Sequence, residues 1–267
     1  MSSVGFIGCG NMGGALAKAI IKEIGADSVF VSDYDVQKCE EFCRETGANC
    51  VDNEYICQNC EYIFLAVKPQ VMESVLAPLK SILKKRKDRF VLVTMAAGLS
   101  KKAVQDFAGG SFPTIRIMPN TPCSIGQGVI LYTASQDVTP SEIACFTRML
   151  RSAGMVDRIN EATIDAAAAL SGCGPAFAYL FIEALADGAV SCGVPRDKAL
   201  TYAAQTVSGA AQMVISTGKH PGELKDNVCS PGGTTIAGVK ALEDSAFRSG
   251  AMNSVIAAYK KTAELKK

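Results

Sequence analysis

The spacing of hydrophobic positions changes near residue 160. Up to that point short β-rich apolar runs alternate with helical patterns of about 10–15 residues, the signature of βαβ units and a parallel sheet. The runs predict strands at Val4–Ile7, 28–32, 62–67, 90–95, 114–117 and 129–133. Leu16, Ile20 and Ile24 recur at helical spacing after the first strand, and Gly25 is placed to stop that helix. Beyond Glu161 the β signals cease. Residues 162–267 are rich in Ala, punctuated by Gly193-Val194-Pro195, His220-Pro221-Gly222 and Ser230-Pro231-Gly232-Gly233, and predict helices only. The expected fold is therefore α/β over residues 1–160, with a mostly parallel sheet, followed by an all-helical domain over 161–267. Residues 165–189 carry few charges and small apolar side chains on most of the helix circumference. A domain of that size hides such a helix poorly by itself, so the pattern predicts an intertwined homodimer.

Composition removes several partners. Of 267 residues 48% are hydrophobic and 20% charged, and 27 Lys plus Arg against 26 Asp plus Glu leave a net charge of +1. Without a basic stripe the electrostatic term that drives nucleic-acid binding is missing. The longest apolar stretch, 176–190, is interrupted by Glu183 and Asp187, so no membrane span is expected. A first strand at Val4 leaves little room for a leader, which predicts a cytoplasmic protein. Eleven cysteines in such a chain are expected to be reduced. His220 is the only histidine, which excludes His-rich metal sites and leaves imidazole chemistry to one residue, itself placed as a cap or interface residue before Pro221.

Gly8-Cys9-Gly10-Asn11-Met12-Gly13 directly follows the first strand and opens the first helix, the context a dinucleotide fingerprint requires. Its glycines allow a tight turn, close backbone approach to a pyrophosphate and packing of helix on strand, while the helix N-terminus faces the phosphates. The second strand runs into Asp33, 20 residues after Gly13. A carboxylate there accepts hydrogen bonds from the adenosine ribose and repels a 2′-phosphate, favouring NADH over NADPH; the alternative is an Asx-turn residue leading into the next helix. Ala66-Val67-Lys68-Pro69 and Ala96-Ala97-Gly98 also follow strands and are placed to meet the cofactor, although Lys68 by spacing alone is equally a surface lysine. Arg116 to Pro122 forms a proline-bracketed loop suited to lining a site. Leu170-Ser171-Gly172-Cys173-Gly174-Pro175-Ala176 inserts helix breakers into a helical stretch, and Ser230-Pro231-Gly232-Gly233-Thr234-Thr235 precedes a helix. The latter offers N–H groups and hydroxyls to a carboxylate, or is a plain helix cap.

Taken in order, the fingerprint with Asn-Met, Ala-Val-Lys-Pro, Ala-Ala-Gly, Asn-Thr-Pro, Leu-Ser-Gly-x-Gly-Pro-Ala, His-Pro-Gly-x-Leu-Lys-Asp-x-Val and Ser-Pro-Gly-Gly-x-Thr-Ile resemble pyrroline-5-carboxylate reductases over essentially the whole chain. The resemblance implies a Rossmann-type domain followed by a helical dimerisation domain, dimers that assemble further, up to decamers, and reduction of Δ1-pyrroline-5-carboxylate to L-proline by NADH or NADPH. It places the pyrophosphate site on Gly8, Cys9, Gly10, Asn11, Met12 and Gly13, and further cofactor contacts on Asn53, Ala66, Val67, Lys68, Pro69, Ala96, Ala97 and Gly98. Ser230, Gly232, Gly233, Thr234 and Thr235 would hold the substrate carboxylate, with Thr235 donating a hydrogen bond to the imine nitrogen. Two positions depart from the family pattern: Cys173 replaces a serine, and Asp33 stands where many members carry Ser, Asn or Arg.

Two other readings are open to the residues themselves. A related imine or β-hydroxyacid dehydrogenase would be expected to carry a lysine on a central helix of the second domain, and residues 162–190 contain none. A catalytically silent dinucleotide-binding protein would keep Gly8 to Gly13 without needing Ser230 to Thr235. Cys39, Cys43, Cys50, Cys57 and Cys60 are closely spaced, and Cys57-x-x-Cys60 has zinc-knuckle spacing, but it lacks a second pair or a histidine, so no metal is expected.

Overall fold

The computed structural model describes residues 2–264. One sheet holds β1 (Val4–Ile7), β2 (Val29–Ser32), β3 (Asn49–Cys50), β4 (Tyr62–Leu65), β5 (Val91–Thr94), β6 (Thr114–Met118), β7 (Gly128–Ala134) and β8 (Gly154–Arg158) in the order β3-β2-β1-β4-β5-β6-β7-β8. Neighbours pair in parallel except β6 with β7. The two strands the sequence pattern does not predict, β3 and β8, lie at opposite edges. An edge strand is held by one neighbour, so Asn49-Cys50 and Gly154-Met155-Val156-Asp157-Arg158 need no apolar run to form.

Strand alternation sorts the core onto two faces. Val4, Phe6, Tyr62, Phe64, Val91 and Val93 face one side with α1 (Asn11–Ile24), α2 (Val36–Thr46) and, later, α7 (Pro140–Leu150). Ile7, Ile63, Leu65 and Leu92 face the other, against α3 (Asn53–Asn59), α4 (Met72–Leu76), α5 (Lys80–Lys85) and α6 (Lys101–Ala108). Phe6 stacks on Phe64 with ring centroids 4.5 Å apart. Local signals agree with the packing. Gly25 ends α1 at φ 86, Asp35 caps α2 by accepting from the Lys38 N–H, and Thr139 with Glu142 forms a reciprocal capping box at α7.

The helical half comprises α8 (Ile164–Ser171), α9 (Gly174–Ser191), α10 (Arg196–Thr217), α11 (Pro221–Asn227), α12 (Thr234–Asp244) and α13 (Phe247–Glu264). The chain's contacts divide it into two units, residues 2–173 with 258–264, and Gly174–Ala257. The division after Cys173 lies beyond the sequence boundary at 160 because α8 packs on the sheet unit. Buried Arg116 of β6 pairs with buried Asp165 of α8 at 2.5 Å, and the Asn120 amide donates to the Ser171 carbonyl at 2.9 Å. In the second unit α9 packs on α10 around Ala186, Ala199 and Ala203, and leaves Tyr179, Leu180, Leu200, Tyr202, Met213 and Ile215 exposed. The stretch Ile164–Ser191 has the length and mean hydropathy (1.4) of a membrane span by composition alone, with the non-helical step Gly172-Cys173 inside it.

Candidate functional site

Sheet register builds the first site. Ile7 pairs with both Ser32 and Leu65, so the chain leaves β1, β2 and β4 at one level, and Gly8, Asp33 and Ala66 become neighbours at the carboxyl edge. The Gly8 N–H donates to the Ser32 carbonyl (2.8 Å) and the Ala66 N–H to the Ile7 carbonyl (2.9 Å). Strand order runs outward from β1 in both directions here, the point at which open α/β sheets bind ligands.

The three fingerprint glycines serve different needs. Gly8 sits at φ +103, and a Cβ there would meet the Ala66 carbonyl oxygen at 2.7 Å. At Gly13 a Cβ would meet the Gly8 oxygen at 2.4 Å, so this glycine lets α1 pack on the strand turn. Around Gly10 a Cβ would meet nothing within 4 Å, and Gly10 lines the adjoining groove. Gly10 is also the N-cap of α1 and supplies no side-chain acceptor, so the N–H groups of Asn11, Met12 and Gly13 face outward without an intrahelical partner. Open space beside unpaired N–H groups at a helix N-terminus fits a pyrophosphate.

Asp33 takes the Asx-type turn that the sequence offered as one alternative, and it also lines the groove. Its Oδ2 accepts from the Cys9 N–H at 2.7 Å, and its Oδ1 accepts from the Asp35 N–H at 3.1 Å in an Asx-type turn. Asp35, one turn later, is the cap of α2. Burial works to raise the Asp33 carboxyl, but the N–H groups of Cys9 and Asp35, the Cys9 thiol and the charge of Lys38 outweigh it and hold it below the ordinary carboxylate value. The carboxylate is thus ionised and lines the groove. Burial and the neighbouring Asp33 charge push the Cys9 thiol up to about 12, so it is neutral.

A groove of about 1070 Å³ runs along this edge, lined by Gly8, Gly10, Asp33, Asn53, Ala66, Val67 and Lys68 among others. Asn53 opens α3, whose cap is Asp52, and its Oδ1 accepts from the Ser32 hydroxyl at 2.5 Å. Cys9 and Asn11 line a smaller depression beside Lys18 and Lys38. Met12 packs against the core, Pro69 begins a short 3₁₀ turn, and Ala96, Ala97 and Gly98 follow β5 outside the groove's lining. Sequence reasoning missed Tyr34, Val36, Lys38 and Val71, which line the same groove. Tyr34 is fully exposed at 104%, and its position directly after the acid ending β2 was the available signal.

Residues Ser230 to Thr235 lie in the second unit. Gly232 turns the chain at φ +68, the Gly233 N–H donates to the Ser230 carbonyl at 3.0 Å, and Gly233 is the N-cap of α12 with no side-chain cap. Thr234 and Thr235 occupy the first turn, exposed, beside helix N–H groups without intrahelical acceptors. His220 caps α11, its Nδ1 accepting from the Gly222 N–H at 3.1 Å.

Comparison with known proteins agrees with both halves. A family model described as pyrroline-5-carboxylate reductase dimerisation matches residues 161–265, and one described as NADP oxidoreductase coenzyme F420-dependent matches residues 3–98. The chain is 39% identical to the pyrroline-5-carboxylate reductase of Arabidopsis thaliana over 98% of its length and 95% of that protein's. It is 38% identical to the Escherichia coli enzyme of the same name over 99% and 98%. The crystal structure of Plasmodium falciparum pyrroline carboxylate reductase with NADP bound matches with a TM-score of 0.88 at 32% identity, covering 100% of this chain and 98% of that one.

Proposed function

Because the chain belongs to the pyrroline-5-carboxylate reductase family, we propose that it reduces the C=N bond of Δ1-pyrroline-5-carboxylate to give L-proline, using a nicotinamide dinucleotide. The observation that carries this reading is the joint presence of a Gly8–Gly13 turn open at Gly10 and of an uncapped α12 N-terminus bearing Thr234 and Thr235. The first suits a pyrophosphate and the second a carboxylate. When bound, the reduced dinucleotide supplies a hydride; the protein's task is orientation and electrostatics.

In this reading the N–H groups at the start of α1 hold the pyrophosphate, and Asp33 accepts from the adenosine ribose. Its carboxylate disfavours a 2′-phosphate, so NADH is the preferred cofactor. Asn53, Ala66 to Pro69 and Ala96 to Gly98 complete the cofactor contacts. Ser230, Gly232, Gly233, Thr234 and the N–H groups of α12 hold the substrate carboxylate, and the Thr235 hydroxyl donates to the ring nitrogen. A hydroxyl is too weak an acid to deliver a proton unaided, so the substrate enters as the iminium and nitrogen needs no further proton; the iminium nitrogen has no lone pair, and the Thr235 hydroxyl donates to the pair that forms there as the hydride reaches carbon. The exposed apolar side chains of α9 and α10 support a homodimer through the helical half, with assembly up to a decamer. Covered in that way, Ile164–Ser191 belongs to a cytoplasmic enzyme. Initial rates of nicotinamide oxidation with pyrroline-5-carboxylate, NADH and NADPH side by side test the proposal. Turnover favouring NADH supports it, turnover favouring NADPH removes the role of Asp33, and no turnover with either overturns the activity.

A further inference from the structure

Three thiols converge beside the groove, and two of them, Cys39 and Cys50, line it. Cys39 and Cys43 stand one turn apart on α2, Gly47 reverses the chain in a left-handed conformation (φ 78), and β3 returns Cys50 to them. Their sulfurs all lie within 4.8 Å of one another, and no other His, Cys, Asp or Glu joins them among the described residues. The Cys50 thiol donates to Cys39 Sγ at 2.9 Å, and the Cys39 thiol donates to the Val31 carbonyl at 3.3 Å. Cys39 is buried, Cys43 half-buried and Cys50 exposed, so the cluster has an open side. The Cys57-x-x-Cys60 pair singled out by spacing lies elsewhere, buried in the core on the other face of the sheet, with Arg86 donating to both of its carbonyls.

We propose that Cys39, Cys43 and Cys50 form a binding site for one soft, thiophilic cation, copper(I) foremost. A metal–sulfur bond of about 2.3 Å sets the sulfurs of a trigonal site about 4 Å apart, a spacing bracketed by the 2.9 Å and 4.8 Å found here. Thiolates select copper(I) and zinc over harder ions, and three ligands without a fourth suit copper(I) better than a closed zinc site. Burial, then the neighbouring thiols, raise Cys39 and Cys43. Binding forms three S–Cu bonds, releases three S–H protons to solvent and transfers no electron.

The site's position ties it to the cofactor, a coupling that rests on the groove being the dinucleotide site. Cys39 and Cys50 line the groove together with Asp33 and Lys38. Three thiolates around one monovalent cation replace three neutral thiols with a net charge of about −2, placed on the side of the groove that holds Asp33. Occupation therefore weakens binding of a 2′-phosphorylated dinucleotide more than that of its unphosphorylated counterpart.

The test titrates the reduced full-length protein with copper(I), without oxygen or cofactor, against a competing chelator. One equivalent retained per chain, with a thiolate-to-copper absorption band, is the expected result. It is lost in Cys50→Ser and Cys39→Ser and kept in Cys192→Ser, an exposed thiol in the other unit. Cys50 is exposed, so its variant folds even where Cys39→Ser does not, as circular dichroism checks. Retention in Cys50→Ser, or loss of copper to the chelator in the unaltered protein, overturns the site. A second titration then follows NADPH and NADH by fluorescence, with and without copper(I). A several-fold larger loss of affinity for NADPH supports the coupling, and an equal shift for both overturns it while leaving the metal site standing.

Discussion

Asp33 and Cys9, 24 positions apart, meet through a short hydrogen bond, the Cys9 N–H to Asp33 Oδ2 at 2.7 Å. The bond ties the end of β2 to the glycine turn, so the residue proposed to read the ribose also fixes the loop proposed to hold the pyrophosphate. Replacing Asp33 therefore touches selectivity and loop geometry together. Asp33→Asn keeps one oxygen acceptor while removing the charge. The expected outcome is a rise of about tenfold in the NADPH-to-NADH ratio of kcat/KM, the equivalent of about 1.4 kcal/mol of relieved repulsion. Steady-state kinetics with both cofactors measures it.

Glycine replacements separate folding from binding. A Cβ at Gly10 meets nothing within 4 Å, whereas at Gly13 it strikes the Gly8 oxygen at 2.4 Å. Gly10→Ala should leave the Tm nearly unchanged and raise the dinucleotide Kd about tenfold or more, because the methyl enters the space a pyrophosphate needs. Gly13→Ala should lower the Tm as well. Thermal unfolding with and without dinucleotide distinguishes the two.

Thr235→Ala is expected to lower kcat by about ten- to a thousand-fold, the scale of losing one aligned donor, with dinucleotide affinity unchanged. Thr235→Ser should recover most of the rate, since the hydroxyl returns. Unaltered kcat in the alanine variant would remove Thr235 from the reaction.

The buried Arg116–Asp165 pair fastens α8 to the sheet. Arg116→Met leaves a buried carboxylate without its guanidinium and should cost about 3–5 kcal/mol, measured by denaturant unfolding. The double replacement Arg116→Met with Asp165→Leu should cost less than the single one, since no buried charge is left behind. His220→Ala, by contrast, removes a helix cap and should keep kcat within about an order of magnitude.

Acid should destabilise the sheet unit through Asp33 and Glu142. Burial works to raise Glu142, but hydrogen bonds from Arg89 and from the N–H and hydroxyl of Thr139 outweigh it and leave it below its ordinary 4.5; Asp33 is likewise held below its ordinary 3.8. A carboxyl depressed by folding stabilises the native state fully above its unfolded value and ceases to do so as pH falls through its folded one. Stability should therefore be flat from neutral pH down to these ordinary values and fall below them. Glu142→Gln should flatten part of that fall in denaturant titrations at stepped pH.

Much of this was legible in the residues because local physics carries it. Short apolar runs locate the central strands, Leu16, Ile20 and Ile24 with Gly25 give α1, and Gly8 and Gly13 sit where only glycine fits. The edge strands β3 and β8 were not legible, since one neighbour suffices to hold them and no apolar run marks them. Nor did spacing reveal the true thiol neighbours. Sequence proximity pointed to Cys57 and Cys60, while a left-handed turn at Gly47 and the pairing of β3 with β2 bring Cys50 to Cys39 and Cys43.

The sequence by itself determined the α/β then all-helical order, the glycine turn between β1 and α1 and the Thr234-Thr235 helix start, because each depends on residues close together in the chain. The tertiary structure alone decided that Asp33 both serves the turn and faces the groove, that α8 joins the sheet unit through Arg116 and Asp165, and that three cysteines share one corner. Those relations join residues brought together by sheet register and chain reversal, and no periodicity along the chain encodes which distant side chains a register will set side by side.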